Sequence, residues 1–208
     1  MRFSQAMLVS LLFVLAACQS TPVTVATVIP TSQPTAVLPT ATLESREAAE
    51  SAIYPVAIAA QDCGGERDKY WLIHDETWAF PIEDWMYERG GLGRVAAAVD
   101  DYKEINARPD QLSHNPALAL GYHFITKQEW ENTFQSQPLE RWQRFRVRFP
   151  DSLGTILLSR PGLNYEHTQA LIYESCSCGA TCGKLRMLFL QRENGIWKVS
   201  GTILIGVA

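Results

Sequence analysis

Three cysteines fall within seven positions, Cys176, Cys178 and Cys182 in "CSCGATC", and a fourth, Cys63, stands more than a hundred residues earlier. No other feature restricts the fold as tightly. Four sulfurs can hold a metal, run redox chemistry or cross-link the chain, and each use demands its own local geometry. The choice turns on compartment, because disulfides persist outside the reducing cytoplasm and are rare within it.

The other end of the chain speaks to compartment. "MRFSQ" carries one positive charge and leads into "AMLVSLLFVLAA", apolar or small throughout except for Ser10. Twelve such residues are too few to span a bilayer, which takes about 20, but they suit the apolar core of a signal peptide. The run ends in Leu15-Ala16-Ala17-Cys18. This resembles the lipobox of bacterial lipoproteins. The resemblance implies removal of residues 1–17, lipidation of Cys18 by acyl chains of the palmitate type, and attachment to the membrane on its extracytoplasmic side, within the cell envelope. Two or three chains, at ~0.8 kcal/mol per buried CH₂, would hold it there permanently.

Residues 19–43 contain no charge and no glycine, and thirteen of the twenty-five are Thr, Ser or Pro. Proline blocks helix and central strand alike, so residues 18–43 read as a lipidated cysteine followed by an extended tether, and residues 44–208 as a single domain. Only Arg2 of the 18 basic residues precedes Glu44, leaving 17 against 22 acidic ones, a net charge of −5 for the domain. That balance argues against nucleic acid, or an anionic membrane face, as the main partner.

With an extracytoplasmic address, strand geometry orders the cysteine pairings. If "TQALIYESC" and "KLRMLFLQRE" are neighbouring strands joined by the loop "GAT", Cys178 faces Cys182. Glu174 then faces Arg186, Leu171 faces Phe189 and Tyr173 faces Met187, which puts opposite charges on one face and apolar pairs on the other. Facing residues lie within disulfide range, whereas Cys176 and Cys178 alternate along one strand, about 6.5 Å apart, and bond poorly. The pattern predicts Cys178–Cys182 as a hairpin clasp and Cys63–Cys176 as a long-range staple. A zinc site would need all four thiolates to converge, and C-x-C-x₃-C lacks the paired knuckles of zinc sites. A redox pair would show C-x-x-C at the start of a helix.

Periodicity predicts α+β: helices packed on a curved antiparallel sheet ending in a four-stranded meander. "ESREAAESAIYPVAIAAQ" reads as a helix with Ala49, Ala52, Ile53, Val56 and Ala60 inward, kinked or interrupted at Pro55. "KYWLIHDETW" and "ALALGYHFI" read as strands, and "GGLGRVAAAVDDYKEINARP" as a helix carrying Leu92, Val95, Ala96, Val99 and Tyr102. "TKQE" is a capping box, and Pro138 starts a further helix. A three-residue turn at "ENG" aligns Phe189 with Val199 and Leu185 with Ile203. It places Leu171, Tyr173, Leu185, Phe189, Trp197, Val199 and Ile203 on one face under the helices.

The stretches "LIHDET", "INARP", "ITKQEWENTF", "RFPDSLGTILLSRPGLN", "TQALIY", "CGATCG" and "NGIWKV" together resemble a family of uncharacterised bacterial secreted proteins and lipoproteins. The resemblance implies the paired CG…CG turn at Cys178 and Cys182, marks Cys63 and Cys176 as additions, and carries no catalytic residue over.

Chemistry has few other candidates. His74-Asp75-Glu76 is the best carboxylate–imidazole cluster. His74 and Glu76 are the candidate ligand-binding or acid–base pair, because they share a face if they lie on a strand. Asp75 takes the other face, so the three cannot all chelate one ion, and a partly exposed strand is the competing reading. Arg141, Arg144 and Arg148 form one helical stripe that could bind an anion or lie solvated. "GGLGR" follows no strand of a nucleotide-binding unit. No G-x-S-x-G or H-E-x-x-H occurs, and no pattern asks for a metal or cofactor. The expectation is a binding or envelope-accessory module, its protein or small-molecule partner unspecified. The alternative is a small-molecule carrier or enzyme with a pocket between helices and curved sheet.

Overall fold

The computed structural model describes residues 44–64, 69–119, 121–135 and 138–207. The signal peptide expected over 1–17, Cys18 and the tether over 19–43 lie outside the described residues.

The first helix, α1 (Arg46–Ala59), begins where Ser45 accepts a hydrogen bond from the Ala48 N–H at 3.2 Å, an N-cap. It runs through Pro55 as one helix, so of the kink or interruption expected there, the interruption does not occur. Ile53 and Tyr54 before the proline, and Ala57 and Ile58 after it, are all buried. That burial offsets the roughly 3 kcal/mol an interior proline costs. The inward face follows Ala49, Ile53, Tyr54, Ala57 and Ile58, and Ala52 is exposed.

Strand β1 (Tyr70–His74) leads to α2 (Asp84–Glu88) and to a 3₁₀ turn, Leu92–Val95, that runs into α3 (Ala96–Ile105). In that segment Leu92, Val95, Val99 and Tyr102 are buried as expected, with Ala98 rather than Ala96 completing the face. "ALALGYHFI" divides, contrary to its reading as one strand. Pro116–Ala119 forms a short helix, α4, and only His123–Ile125 forms a strand, β2; proline suits the first position of a helix. The capping box is present, Thr126 and Glu129 bonding reciprocally at the start of α5 (Lys127–Phe134). Helix α6 (Pro138–Arg148) follows from Pro138.

The remainder is strand: β3 (Ser152–Leu158), the two-residue β4 (Gly162–Leu163), β5 (Gln169–Gly179), β6 (Cys182–Glu193) and β7 (Ile196–Val207). The order across the sheet is β2-β1-β3-β5-β6-β7, with β4 also on β5. Strands β3, β5, β6 and β7 are successive antiparallel neighbours, the expected four-stranded run. The α+β class holds, but the sheet is mixed, since β1 pairs in parallel with both β2 and β3. Parallel neighbours need long crossovers, and the helices between these strands supply them.

Helices cover both faces. Ile73, Ile156, Ile172, Leu188 and Trp197 form a core with α1. On the opposite face Leu171, Tyr173, Met187 and Ile203 meet Leu92, Ala98, Val99 and Tyr102. Leu72 points the same way as this second set, and with Ile125 and Phe145 it packs against Trp130 and Trp142 of α5 and α6. Two glycines shape the sheet by close approach. A Cβ on Gly154 (φ 156°) would run into the backbone of Ser177 on β5, and one on Gly162 into α3 at Ala98 and Tyr102.

The β5–β6 register pairs Glu174 with Arg186, Leu171 with Phe189 and Tyr173 with Met187, as predicted. At its end the expected three-residue loop gives way to two residues. Gly179 pairs with Cys182 and the register shifts around Cys178. The β6–β7 turn is also two residues: Glu193 pairs with Ile196 across Asn194 (φ 51°) and Gly195 (φ 81°), the doubly left-handed geometry that Asn-Gly favours. The expected pairing of Phe189 with Val199 is replaced by Leu190 with Val199 and Phe189 with Gly201, Ser200 being the extra residue of a bulge. The bulge reverses the alternation. Trp197 and Val199 therefore join the α1 core, while Ile203 and Phe189 join the opposite one.

Candidate functional site

The residues nominated from sequence lie in separate places. His74 closes β1, 7% exposed, with its ring edge-on to Trp130 at 4.7 Å between centroids. Its Nε2 is buried with no hydrogen-bond partner among the described residues, and burial pushes its pKa down to about 4. Glu76 also meets α5, but at the surface, 4.0 Å from the Lys127 Nζ. On α6, Arg144 pairs loosely with Glu140 at 3.9 Å and Arg148 with Glu129 at 3.0 Å, and Arg141 also has a partner. The stripe is a charged outer face of one helix, not the wall of a space between helix and sheet.

What the fold does gather is a line of charge beside α1. Glu50 and Arg46 lie one helical turn apart, 3.3 Å between charged atoms. The Arg46 guanidinium donates to Asp101 at 2.6 Å, and the other Asp101 oxygen accepts the Leu163 N–H at 2.7 Å. Arg160, just past β3, is held by Asn106: the Arg160 N–H donates to the Asn106 Oδ1 at 2.9 Å, and the Asn106 Nδ2 donates to the Arg160 carbonyl at 3.0 Å. Its guanidinium then reaches Glu50 at 2.8 Å and Asp110 at 3.3 Å. Burial alone would lower the Arg160 pKa, but its bond and attraction to Glu50, with Asp110, outweigh that and raise it. The Tyr54 phenol beside them is also raised, by burial and then by Glu50, so it stays protonated and able to donate.

Arg160, Glu50, Asp110 and Tyr54, with His114 and Asn115, line a cleft of about 280 Å³. Donors and acceptors converge there from α1, from the segment before α4 and from the end of β3. The arrangement can hold a polar ligand by exchanging one of its ion pairs for a ligand group. None of these residues was nominated from sequence. Glu50 and Arg160 are 110 positions apart, and no local spacing announces their meeting.

The second gathering is at the open end of the β5–β6 hairpin. Both predicted bridges are present, Cys63–Cys176 with Cα atoms 6.2 Å apart and Cys178–Cys182 with 5.1 Å. They are neighbours, since the Sγ atoms of Cys178 and Cys182 lie 3.6 and 3.7 Å from the Cys63 carbonyl oxygen. Beside them a buried ion pair ties the sheet to the end of α1. The Arg186 Nε and Nη2 donate to the Glu174 Oε2 at 2.9 and 2.7 Å, and Nη2 also donates to the Ala60 carbonyl at 3.2 Å. Burial raises the Glu174 pKa, against the opposing pull of Arg186. Asp62, which accepts from Lys184 at 2.7 Å, is held below the usual carboxylate range, first by that bond. A cleft of about 480 Å³ opens over the sulfurs, lined by Cys63, Cys178, Cys182, Lys69, Arg146 and Ser152.

Among the described residues no group of three or more His, Cys, Asp or Glu side chains is placed to hold a metal ion. Comparison with known protein families, with curated proteins and with solved structures finds no match for this chain.

Proposed function

We propose that this chain is a lipid-anchored extracytoplasmic module of a bacterial envelope that acts by binding, with Cys18 as the acylated residue and residues 19–43 as its tether. The observation that carries the reading is the pairing of all four cysteines of residues 44–208 into two bridges, an arrangement that persists in oxidising compartments. Leu15-Ala16-Ala17-Cys18 at the end of an apolar run supplies the means of attachment. The protein expressed in a bacterial host with radioactive palmitate is expected to carry label and to sediment with membranes, and a Cys18→Ser variant to lose both. Unlabelled wild-type protein recovered in the cytosol would overturn the proposal.

A small-molecule carrier is the second reading, favoured by the convergence of polar groups at the Arg160 cleft. That cleft lies beside α1, while the helix–sheet interfaces are occupied by the side chains of the three cores. Native mass spectrometry of the purified protein is expected to find a bound polar ligand that an Arg160→Ala variant fails to retain. An identical empty spectrum for both would remove this reading.

A further inference from the structure

We propose that the Cys178–Cys182 bridge is a reversible thiol–disulfide exchange site for anionic thiols, while Cys63–Cys176 stays closed as a structural staple. The inference goes beyond the binding role and stands whether or not Cys18 is acylated.

Two observations separate the bridges, and two more favour exchange at the exposed one. Cys178 and Cys182 are each partly exposed on the wall of an open cleft; Cys63 lines the same cleft, but its partner Cys176 is fully buried in the α1 core. Exchange needs an attacking thiolate to reach a sulfur; the first bridge offers both of its sulfurs and the second only that of Cys63. Loop length differs as well, with separations of 4 and 113 residues. By loop-closure entropy the long bridge constrains the unfolded chain roughly a hundredfold more than the short one. Opening the short bridge therefore leaves the fold standing. The same cleft is lined by Arg146 beside Lys69, and the exposed Arg146 guanidinium attracts an anionic reagent and stabilises a thiolate formed beside it. Finally, the Cys63 carbonyl lies 3.6 and 3.7 Å from the two sulfurs. It is placed to accept an S–H hydrogen bond from either thiol once the bridge opens, so the reduced form is already provided with an acceptor.

The reaction balances with two equivalents of thiol. A reagent thiolate attacks Sγ of Cys178 or Cys182, a reagent–cysteine disulfide forms, and the electron pair of the old bond leaves on the other cysteine, which takes a proton from water. A second reagent thiolate attacks the reagent sulfur of the mixed disulfide, and the first cysteine leaves with that bond's electron pair and takes a second proton from water. The reagent departs as its own disulfide, and the protein holds two more electrons and two more protons. Reagent disulfide reverses the sequence.

The test uses the folded full-length protein with 2-mercaptoethanesulfonate, which is anionic, and cysteamine, which is cationic, at matched thiolate concentration. Samples are quenched in acid, alkylated and mapped by peptide mass spectrometry. Cys178 and Cys182 are expected to be alkylated while Cys63–Cys176 remains closed and the circular dichroism is unchanged. The anionic reagent should act about tenfold faster, and Arg146→Gln should narrow that preference. Arg146 is exposed on α6, so the variant leaves the core intact. The proposal is overturned if no bridge opens without denaturant, if Cys63 and Cys176 are labelled as early as the other pair, or if the two reagents act equally fast.

Discussion

The His74 imidazole sits against Trp130 with no counter-charge among the described residues, and loss of water holds its folded-state pKa near 4, below the 6.5 of the free side chain. Between those values the unfolded chain binds a proton that the native protein does not. The stability this provides is complete above pH 6.5 and is lost as pH falls through 4. Its size is on the order of 3 kcal/mol. Between pH 7 and pH 4.5 in urea unfolding, a His74→Phe variant, which keeps the ring contact, should lose roughly 2 kcal/mol less than the native protein. Glu174 works in the opposite sense. Its raised pKa contributes stability that is full below the usual glutamate range and fades as pH climbs through the folded value. Asp62 and Glu129, both lowered, lose theirs only at more acid pH, so the difference between variant and native protein isolates His74. At Glu174 the prediction concerns pairing. Arg186→Met strands a carboxylate that is 0% exposed and whose Oε1 already has no partner among the described residues. Chemical denaturation should register a loss of about 3–5 kcal/mol, most of it recovered when Glu174→Leu is added, because two apolar groups replace a buried pair far better than one lone charge does.

At the scale of elements, what could be read from sequence was whatever two independent local signals agreed on. The β5–β6 register was legible because opposite charges at Glu174 and Arg186 and apolar pairs at Leu171 and Phe189 demand the same alignment. The capping box fixed α5, and Pro138 fixed the start of α6. The β6–β7 register was not legible. An Asn-Gly turn without a bulge sets Phe189 against Ser200, and a bulge that no local pattern announces shifts it to Gly201, where a Cβ would meet the Phe189 side chain. Parallel pairing of β1 escaped for another reason, because its partners lie about 50 and 80 residues downstream and alternation carries no sign of strand direction. The turn itself yields a prediction. Gly195 holds φ 81° with open space around its Cα, so Gly195→Ala pays only for the left-handed backbone, about 1–2 kcal/mol. Thermal unfolding should show it as a lowered midpoint, and a neutral result would mean that the hairpin turns through some other geometry.

For the molecule as a whole, the two candidate sites differ in how far sequence could reach them. The cysteine corner was legible because four sulfurs permit few pairings and a strand forbids one of them. The Arg160 cleft was not, because Glu50, Asp110 and Arg160 come from α1, from the segment before α4 and from the end of β3, and only the finished fold brings them to 2.8 and 3.3 Å. The two sites are nonetheless linked through α1. Its first half carries Arg46 and Glu50, and just past its last residue come Asp62 and Cys63, which the long bridge and Arg186 fasten to the sheet. Closing a loop of 113 residues constrains the unfolded chain by about 5 kcal/mol in the chain-entropy account, against about 2 kcal/mol for the loop of 4. Removing the bridges one at a time, as Cys63→Ala with Cys176→Ala and as Cys178→Ser with Cys182→Ser, should therefore give unequal losses in guanidinium unfolding. The first pair should also loosen α1, and with it the Glu50–Arg160 contact, seen as faster hydrogen exchange over residues 46–60. The second pair should leave that exchange unchanged. If the clasp proved the costlier bridge to lose, or if α1 exchanged alike in both variants, the staple would not be what holds the helix to the sheet.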